Sequence, residues 1–306
     1  MTNIEEFLNK SAEYKQKSVQ MANLFEKSPF YTEREKADLL YHCADSLILN
    51  NIKDGTDKFM SRYCRNRFCP QCQYRKSVKQ YGEIIQVADK LGCAWLHMVL
   101  TIRNCNAQDL SDTISLLYTN STKLYNNNKR AFKGMIRCCE VTYNRDSDSY
   151  HPHLHCLVSV NKSYFTSRYY IKQSALLQQW RALINRRNDG GLYISKVTDK
   201  CSSVAEVAKY CLKPLDSDIP DNIKLAVYRN IFTALKGRRL IQTFGNITPA
   251  IKEIKNNYKP LVAEDDILCS TVYYYNGSNY EPTAISNKIT NTVYNLKKVN
   301  SLKEGV

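Results

Sequence analysis

Short stretches of this chain alternate apolar and polar residues, and longer ones repeat their apolar residues at helical spacing. Trp95-Leu96-His97-Met98-Val99-Leu100-Thr101-Ile102 reads as a buried strand, and the apolar positions from Asp109 to Tyr125 recur at three- and four-residue steps, which predicts a helix. Met135 to Thr142 and His153 to Val160 read as two further strands. They are separated by the turn formers Asn144-Arg145-Asp146-Ser147-Asp148-Ser149, so a hairpin is expected. A helix from about Ser167 to Arg187 follows, with Ala175, Leu176, Trp180 and Leu183 on one stripe, and then a short strand, Leu192 to Val197. The order βαββαβ predicts an α+β fold with a mainly antiparallel central sheet of split βαβ type.

Beyond that sheet, Ser203 to Pro214 reads as a helix opened by a capping box and stopped by proline. Val204, Val207, Ala208, Cys211 and Leu215 share one face of it. Glu206, Tyr210 and Lys213 line the other, with Lys209 at the edge. A tyrosine held between a carboxylate and two lysines is poised for chemistry. The chain is expected to divide into an N-terminal helical arm (1–40), a small cysteine-rich module (41–82), a central sheet domain (83–245) and a C-terminal extension (246–306) with apolar runs near Ile267 and from Val272 to Tyr275.

Composition narrows the function classes. Lys and Arg outnumber Asp and Glu by 44 to 29, a formal net charge of +15 that favours a polyanionic partner, nucleic acid above all. No apolar run is long enough to span a bilayer and the first residues lack the pattern of a signal peptide, so a cytoplasmic protein is expected. Twelve cysteines in such a compartment argue for metal ligation or burial rather than disulfides.

Two groups of candidate ligands stand out. Of only five histidines, three fall between His151 and His155, and His153 and His155 point to the same face of an extended strand. With the turn centred near Ser147 and Asp148, Glu140 is expected opposite His155, completing a His/His/Glu site suited to Mg²⁺ or Mn²⁺. Separately, Cys69-Pro70-Gln71-Cys72 forms a knuckle to which Cys64 adds a third thiol, a set suited to structural Zn²⁺; Cys43 is the best candidate for the fourth ligand, with His42 as its competitor. Arg62, Arg65, Arg67, Arg75, Lys76 and Lys79 alternate with Tyr63, Phe68 and Tyr74 around the knuckle, offering phosphate contacts and stacking surfaces. Basic stretches at Lys123 to Lys133, Arg181 to Arg187 and Lys236 to Arg239 offer more phosphate contacts.

His151-Pro152-His153-Leu154-His155, the strand ending Leu100-Thr101, Glu140-Val141-Thr142, Arg67-Phe68-Cys69-Pro70-Gln71-Cys72 and Glu206-Val207-Ala208-Lys209-Tyr210 together resemble the rolling-circle replication initiators of small bacterial plasmids. Those Rep proteins belong to the HUH endonuclease superfamily. The resemblance runs from about Cys43 to Leu240. It implies that His153 and His155 hold a divalent ion, that Tyr210 is the nicking nucleophile, that Glu206 activates water in the terminating cleavage, and that Cys43 aligns with a family cysteine ahead of the knuckle. It further implies a single-stranded or extruded origin as substrate, with a host helicase and polymerase as partners, and Lys209 and Lys213 beside the DNA. Two other readings use the same residues: a single-tyrosine HUH transposase or relaxase, and a non-enzymatic zinc-containing nucleic-acid-binding protein. The order of histidine strand before tyrosine helix, with Glu206 and the N-terminal knuckle, favours the initiator.

Overall fold

Residues 2–53, 55, 57–185, 189–208, 215–216, 218–257 and 267–286 are described by the structure, a computed structural model. In chain order the described elements are α1 (Thr2–Glu26), α2 (Tyr31–Tyr41), β1 (Ser46–Ile52), β2 (Asp57–Ser61), α3 (Pro70–Leu91), β3 (Ala94–Ile102), α4 (Leu110–Asn127), β4 (Phe132–Asn144) and β5 (Ser149–Val160). A 3₁₀ turn (Tyr164–Thr166) leads to α5 (Gln173–Leu183), β6 (Gly190–Lys196), α6 (Lys200–Ala208), α7 (Asp221–Leu235), β7 (Ile241–Gly245), α8 (Ile247–Asn257), β8 (Ile267–Tyr275) and β9 (Tyr280–Ser286). They form two compact units, Met1–Lys76 with Lys259–Val306, and Ser77–Tyr258.

The second unit holds the expected βαββαβ core. Its antiparallel sheet has the order β6-β3-β5-β4-β7, so β3, β4, β5 and β6 take the split βαβ arrangement and β7, absent from the sequence reading, adds an edge. Alternation along β3 assigns the faces. Leu96, Met98, Leu100 and Ile102 are buried to 2% exposure or less, whereas His97, Val99 and Thr101 on the other face stay half-buried. Leu154, Cys156, Val158 and Val160 of β5 continue the buried face, and α4 packs on β3 and β5 through a stripe that includes Leu110, Ile114, Leu117 and Leu124. Each such fully buried aliphatic side chain contributes about 1.5–3 kcal/mol. Trp180 of α5 is completely buried and its indole N–H donates to the Thr101 carbonyl (3.0 Å), satisfying the polar atom that a buried tryptophan carries.

One buried charge belongs to this core. Arg137 of β4, 4% exposed, donates to Gln242 Oε1 (3.0 Å from Nε), the Tyr118 carbonyl (2.6 Å), Thr122 Oγ1 (3.0 Å) and Ser121, and its guanidinium lies over the rings of Tyr118 and Phe244. Burial lowers its pKa, and the neutral acceptors tie β4, β7 and α4 together. At the far end of β7, Gly245 has φ +62°; a Cβ there would run into the Lys133 carbonyl and the Tyr125 hydroxyl.

In the first unit the sheet order is β2-β1-β8-β9, again antiparallel. The apolar runs near Ile267 and Val272 to Tyr275, read as part of a C-terminal extension, are strand β8, which pairs with β1 from Ser46↔Tyr274 to Ile52↔Ile267. α2 packs on α1, and α1 also contacts β9.

Two element boundaries differ from the sequence reading. The helix expected from Ser167 to Arg187 spans only Gln173–Leu183, because 164–172 is taken up by the 3₁₀ turn and a loop closed by Tyr164, whose hydroxyl accepts the Ile171 N–H (3.2 Å). The helix expected from Ser203 starts at Lys200, since Asp199 caps it: Oδ1 accepts the Cys201 N–H (2.9 Å) and Oδ2 the Ser202 N–H (3.3 Å). Its described part ends at Ala208, with Val204, Val207 and Ala208 buried as expected. Cys211 lies outside the described residues. Cys138, Cys139 and Cys156 are buried as packing residues, whereas Cys201 is exposed on the first turn of α6 and Cys93 is half-buried.

Candidate metal centres and active site

Three side chains of the β4–β5 hairpin converge on the half-buried face of the second unit's sheet. Glu140 Oε2 lies 3.4 Å from His153 Nε2 and 3.2 Å from His155 Nε2, and the three side chains are 5–14% exposed. The cross-strand partner differs from expectation: Glu140 pairs directly with His153, not His155. The turn is centred one residue earlier than expected, with Asn144 opposite Ser149, Asp148 at φ +43° and Asn144 Oδ1 accepting the Ser147 N–H (3.0 Å). That moves the register by two residues. A two-residue shift keeps every side chain on its face, so Glu140 still meets both imidazoles.

The histidines are fixed by different means. His153 Nδ1 donates to the His151 carbonyl (3.1 Å), which fixes the ring with Nε2 facing Glu140. His155 Nδ1 is buried without a hydrogen-bond partner among the described residues; its ring instead lies parallel to His97 (centroids 5.8 Å apart, 8° between planes). Two imidazole nitrogens and a carboxylate oxygen, all within 4.8 Å of one another, form a donor set that fits a divalent cation with positions left open for substrate. The sequence reading passed over His97 because it was read only as part of a buried strand; its register on β3, two positions from Val99, puts it beside His155.

The helix that carries Glu206 is close to these strands. α6 packs against both β4 and β5, and Glu206 is half-buried on it. Tyr210, Lys209 and Lys213 lie outside the described residues; the last described residue of α6, Ala208, is two positions before Tyr210.

The first unit brings Cys43, Cys64, Cys69 and Cys72 together, their sulfurs all within 4.8 Å of one another. Cys43 follows α2, Cys64 follows β2, Cys69 precedes α3 and Cys72 sits in its first turn, where Pro70 opens the helix. His42, the competing fourth ligand, is turned away: its side chain is 61% exposed and Nδ1 contacts Asp45 (2.8 Å). Four thiols in this array suit a tetrahedral metal such as Zn²⁺. Hydrogen bonding among the four thiols pushes Cys69 and Cys64 below the ordinary thiol range and Cys43 and Cys72 above it, so the four share their protons rather than titrate separately.

α1 supplies an outer layer to this cluster that the sequence pattern did not reveal. Ser18, fully buried, places Oγ 3.4 Å from Cys69 Sγ and accepts the Gln71 N–H (3.0 Å). Lys15, 1% exposed, donates to the Cys43 carbonyl (3.0 Å) and to Asp45 (2.5 Å). Around the knuckle Arg65, Arg75 and Lys76 are exposed and Arg67 is half-buried, and the Arg75 guanidinium stacks 4.4 Å from the Tyr63 ring.

No described helix is long and apolar enough to cross a membrane. No solved structure matches the chain. Comparison with sequence families is more informative. The family model described as "Replication protein" matches residues 58–285. A "Protein rep" of Bacillus sp is 30% identical over 260 residues, covering 74% of this chain and 82% of the relative. A "Protein rep" of Bacillus amyloliquefaciens is 31% identical over 260 residues, 74% of this chain and 75% of the relative. One of Staphylococcus aureus is 32% identical over 193 residues, 59% of this chain and 82% of the relative. The matched span contains the histidine strand, its glutamate partner, the three knuckle thiols and α6, and the chain belongs to this replication protein family as a plasmid replication initiator.

Proposed function

We propose that this protein initiates rolling-circle replication as an HUH endonuclease, nicking one strand of its plasmid origin by tyrosine transesterification. The observation that carries the reading is the convergence of Glu140 with His153 and His155 on the strands against which the Glu206 helix packs. In this reading the Tyr210 phenol attacks an origin phosphate in line. The new oxygen–phosphorus bond forms as the bond to the 3′ oxygen breaks, the phenol gives up its proton, and the 3′ oxygen takes one up to leave as a hydroxyl. One ester replaces another, so the 5′-phosphotyrosyl link stores the energy needed for rejoining, and the 3′-OH serves a host polymerase, with a host helicase opening the duplex ahead.

A divalent cation, Mg²⁺ or Mn²⁺, held by Glu140, His153 and His155 would draw charge from a non-bridging oxygen of the attacked phosphate. Because a phenol ionises near ~10, Lys209 and Lys213 beside Tyr210 favour the phenolate by opposite charge. Glu206, one turn before Tyr210 in sequence, serves later as the base that takes a proton from water, so that hydrolysis ends the cycle. Cys43, Cys64, Cys69 and Cys72 would hold Zn²⁺, which would fix the knuckle, and Arg65, Arg67, Arg75 and Lys76 around it contact DNA phosphates.

The test is incubation of the protein and its Tyr210→Phe variant with single-stranded fragments of its own replicon and Mn²⁺. Mass spectrometry should find a nucleotide adduct on Tyr210 in the native protein and none in the variant, which still binds the fragments. An adduct that persists in the variant, or strand cleavage with no adduct at all, refutes the proposed chemistry.

A further inference from the structure

The β6 edge of the second unit's sheet carries an aromatic and basic surface that the account so far leaves without a role. Tyr193 of β6 is 57% exposed. It pairs with Val99, and Val99 pairs on its other side with His155, so Tyr193 lies on the same sheet face as the metal-binding residues, in the same cross-strand row, two strands or about 10 Å from His155. Beside the same edge strand, Phe165, Tyr169 and Tyr170 are 37%, 38% and 48% exposed; they lie on the side of Lys196, which pairs with Leu96 and so projects from the face opposite Tyr193. Cations cover two of these rings: Lys196 Nζ is 5.3 Å from the Phe165 centroid and the Arg168 guanidinium 5.1 Å from that of Tyr169. The platform is rigid. Tyr164 is buried beneath it, stacks edgewise on Phe165 and Tyr170, and accepts the Ile171 N–H, while Ser167 N–H and Tyr170 N–H close successive turns onto the carbonyls of Tyr164 and Ser167.

Charge selects the occupant. No Asp or Glu occurs between Asp148 and Asp189, while Lys162, Arg168, Lys172 and Arg181 do. Exposed rings paired with cations on an acid-free surface match a ligand with flat faces and a phosphate at every step. A protein strand adding to the β6 edge fits less well, because the Ile194 N–H on β6 is already taken by Gln173 Oε1 (3.4 Å). We propose that Phe165, Tyr169, Tyr170, Arg168 and Lys196 on one side of the β6 edge and Tyr193 on the other form a track for single-stranded DNA that passes round this edge to the Glu140/His153/His155 face, bases stacking on the rings and phosphates meeting the two cations. The inference rests on the proposed nicking of single-stranded DNA at that face.

Fluorescence anisotropy of a labelled oligothymidylate with the full-length protein tests it. Tyr193→Ala and the double variant Phe165→Ala/Tyr170→Ala should each weaken binding about tenfold, with Tyr193→Phe matching the native protein because the ring is kept. Arg168→Gln and Lys196→Gln should each flatten the dependence of log affinity on log salt by about 0.7, one phosphate contact apiece. These side chains are surface-exposed, and an unchanged melting temperature confirms that each variant folds. Native affinity in both alanine variants overturns the track. So does light scattering that shows a native dimer which the alanine variants dissociate, since β6 would then be covered by a second copy. Nicking assays on the same preparations keep the two proposals apart: losses of binding as expected in a protein that never nicks support the track and refute the proposed chemistry, whereas normal nicking with undiminished variant binding refutes the track alone.

Discussion

Single atoms set the chemistry of both ligand groups, and both depend on partners that do not themselves bind metal. The His153 tautomer follows from one bond to the His151 carbonyl, and the lowered pKa of the Cys69 thiol from the thiols and the Ser18 hydroxyl around it. Ser18→Ala removes the one hydroxyl beside Cys69 Sγ and also the acceptor of the Gln71 N–H inside the knuckle. Zinc affinity is expected to fall about tenfold in this variant, measured by competition with a chromophoric chelator; Ser18→Thr, which restores the hydroxyl, should recover most of it. Unchanged affinity in Ser18→Ala would mean that α1 merely packs against the cluster.

Among the elements, α6 matters most for the proposed chemistry, since it carries Glu206 and its described part ends two positions before Tyr210 in sequence. Burial of Val204, Val207 and Ala208 and the Asp199 cap hold the described part of this helix in place. Asp199→Ala is expected to cost about 1 kcal/mol of local stability, seen as roughly fivefold faster hydrogen exchange of the α6 amides while the β3 and β5 amides keep their protection. Equal exchange in both proteins would assign the cap to Ser203, where the sequence pattern had put it. The hairpin teaches the complementary lesson: a turn placed one residue off changed Glu140's partner without changing its face, because only an odd shift turns a strand over.

For the whole molecule, segments far apart in sequence, 46–52 and 267–286, meet in one unit. β1 pairs with β8, Tyr280 donates to the Ala44 carbonyl (2.6 Å) next to Cys43, and the Tyr275 N–H bonds to the Asp45 carbonyl (2.9 Å). A chain ending after Asn257 would lose all three. Such a truncated protein is expected to be isolated without zinc, assayed by elemental analysis, while Mn²⁺ binding through Glu140, His153 and His155 persists, those residues lying in the other unit. Retention of zinc would show that the Cys43 loop holds its place without the C-terminal strands. The amino-acid order alone determined the βαββαβ core, the shared face of His153, His155 and Glu140, the three knuckle thiols and the basic balance, because periods of 2 and 3.6 residues and ligand spacings are local properties of the chain. Only tertiary structure set Ser18 and Lys15 beneath the knuckle, paired β4 with β7 and β1 with β8, and aligned Tyr193 with His155. Those contacts join residues distant in sequence, and the burial that stabilises them exists only after the chain has closed on itself.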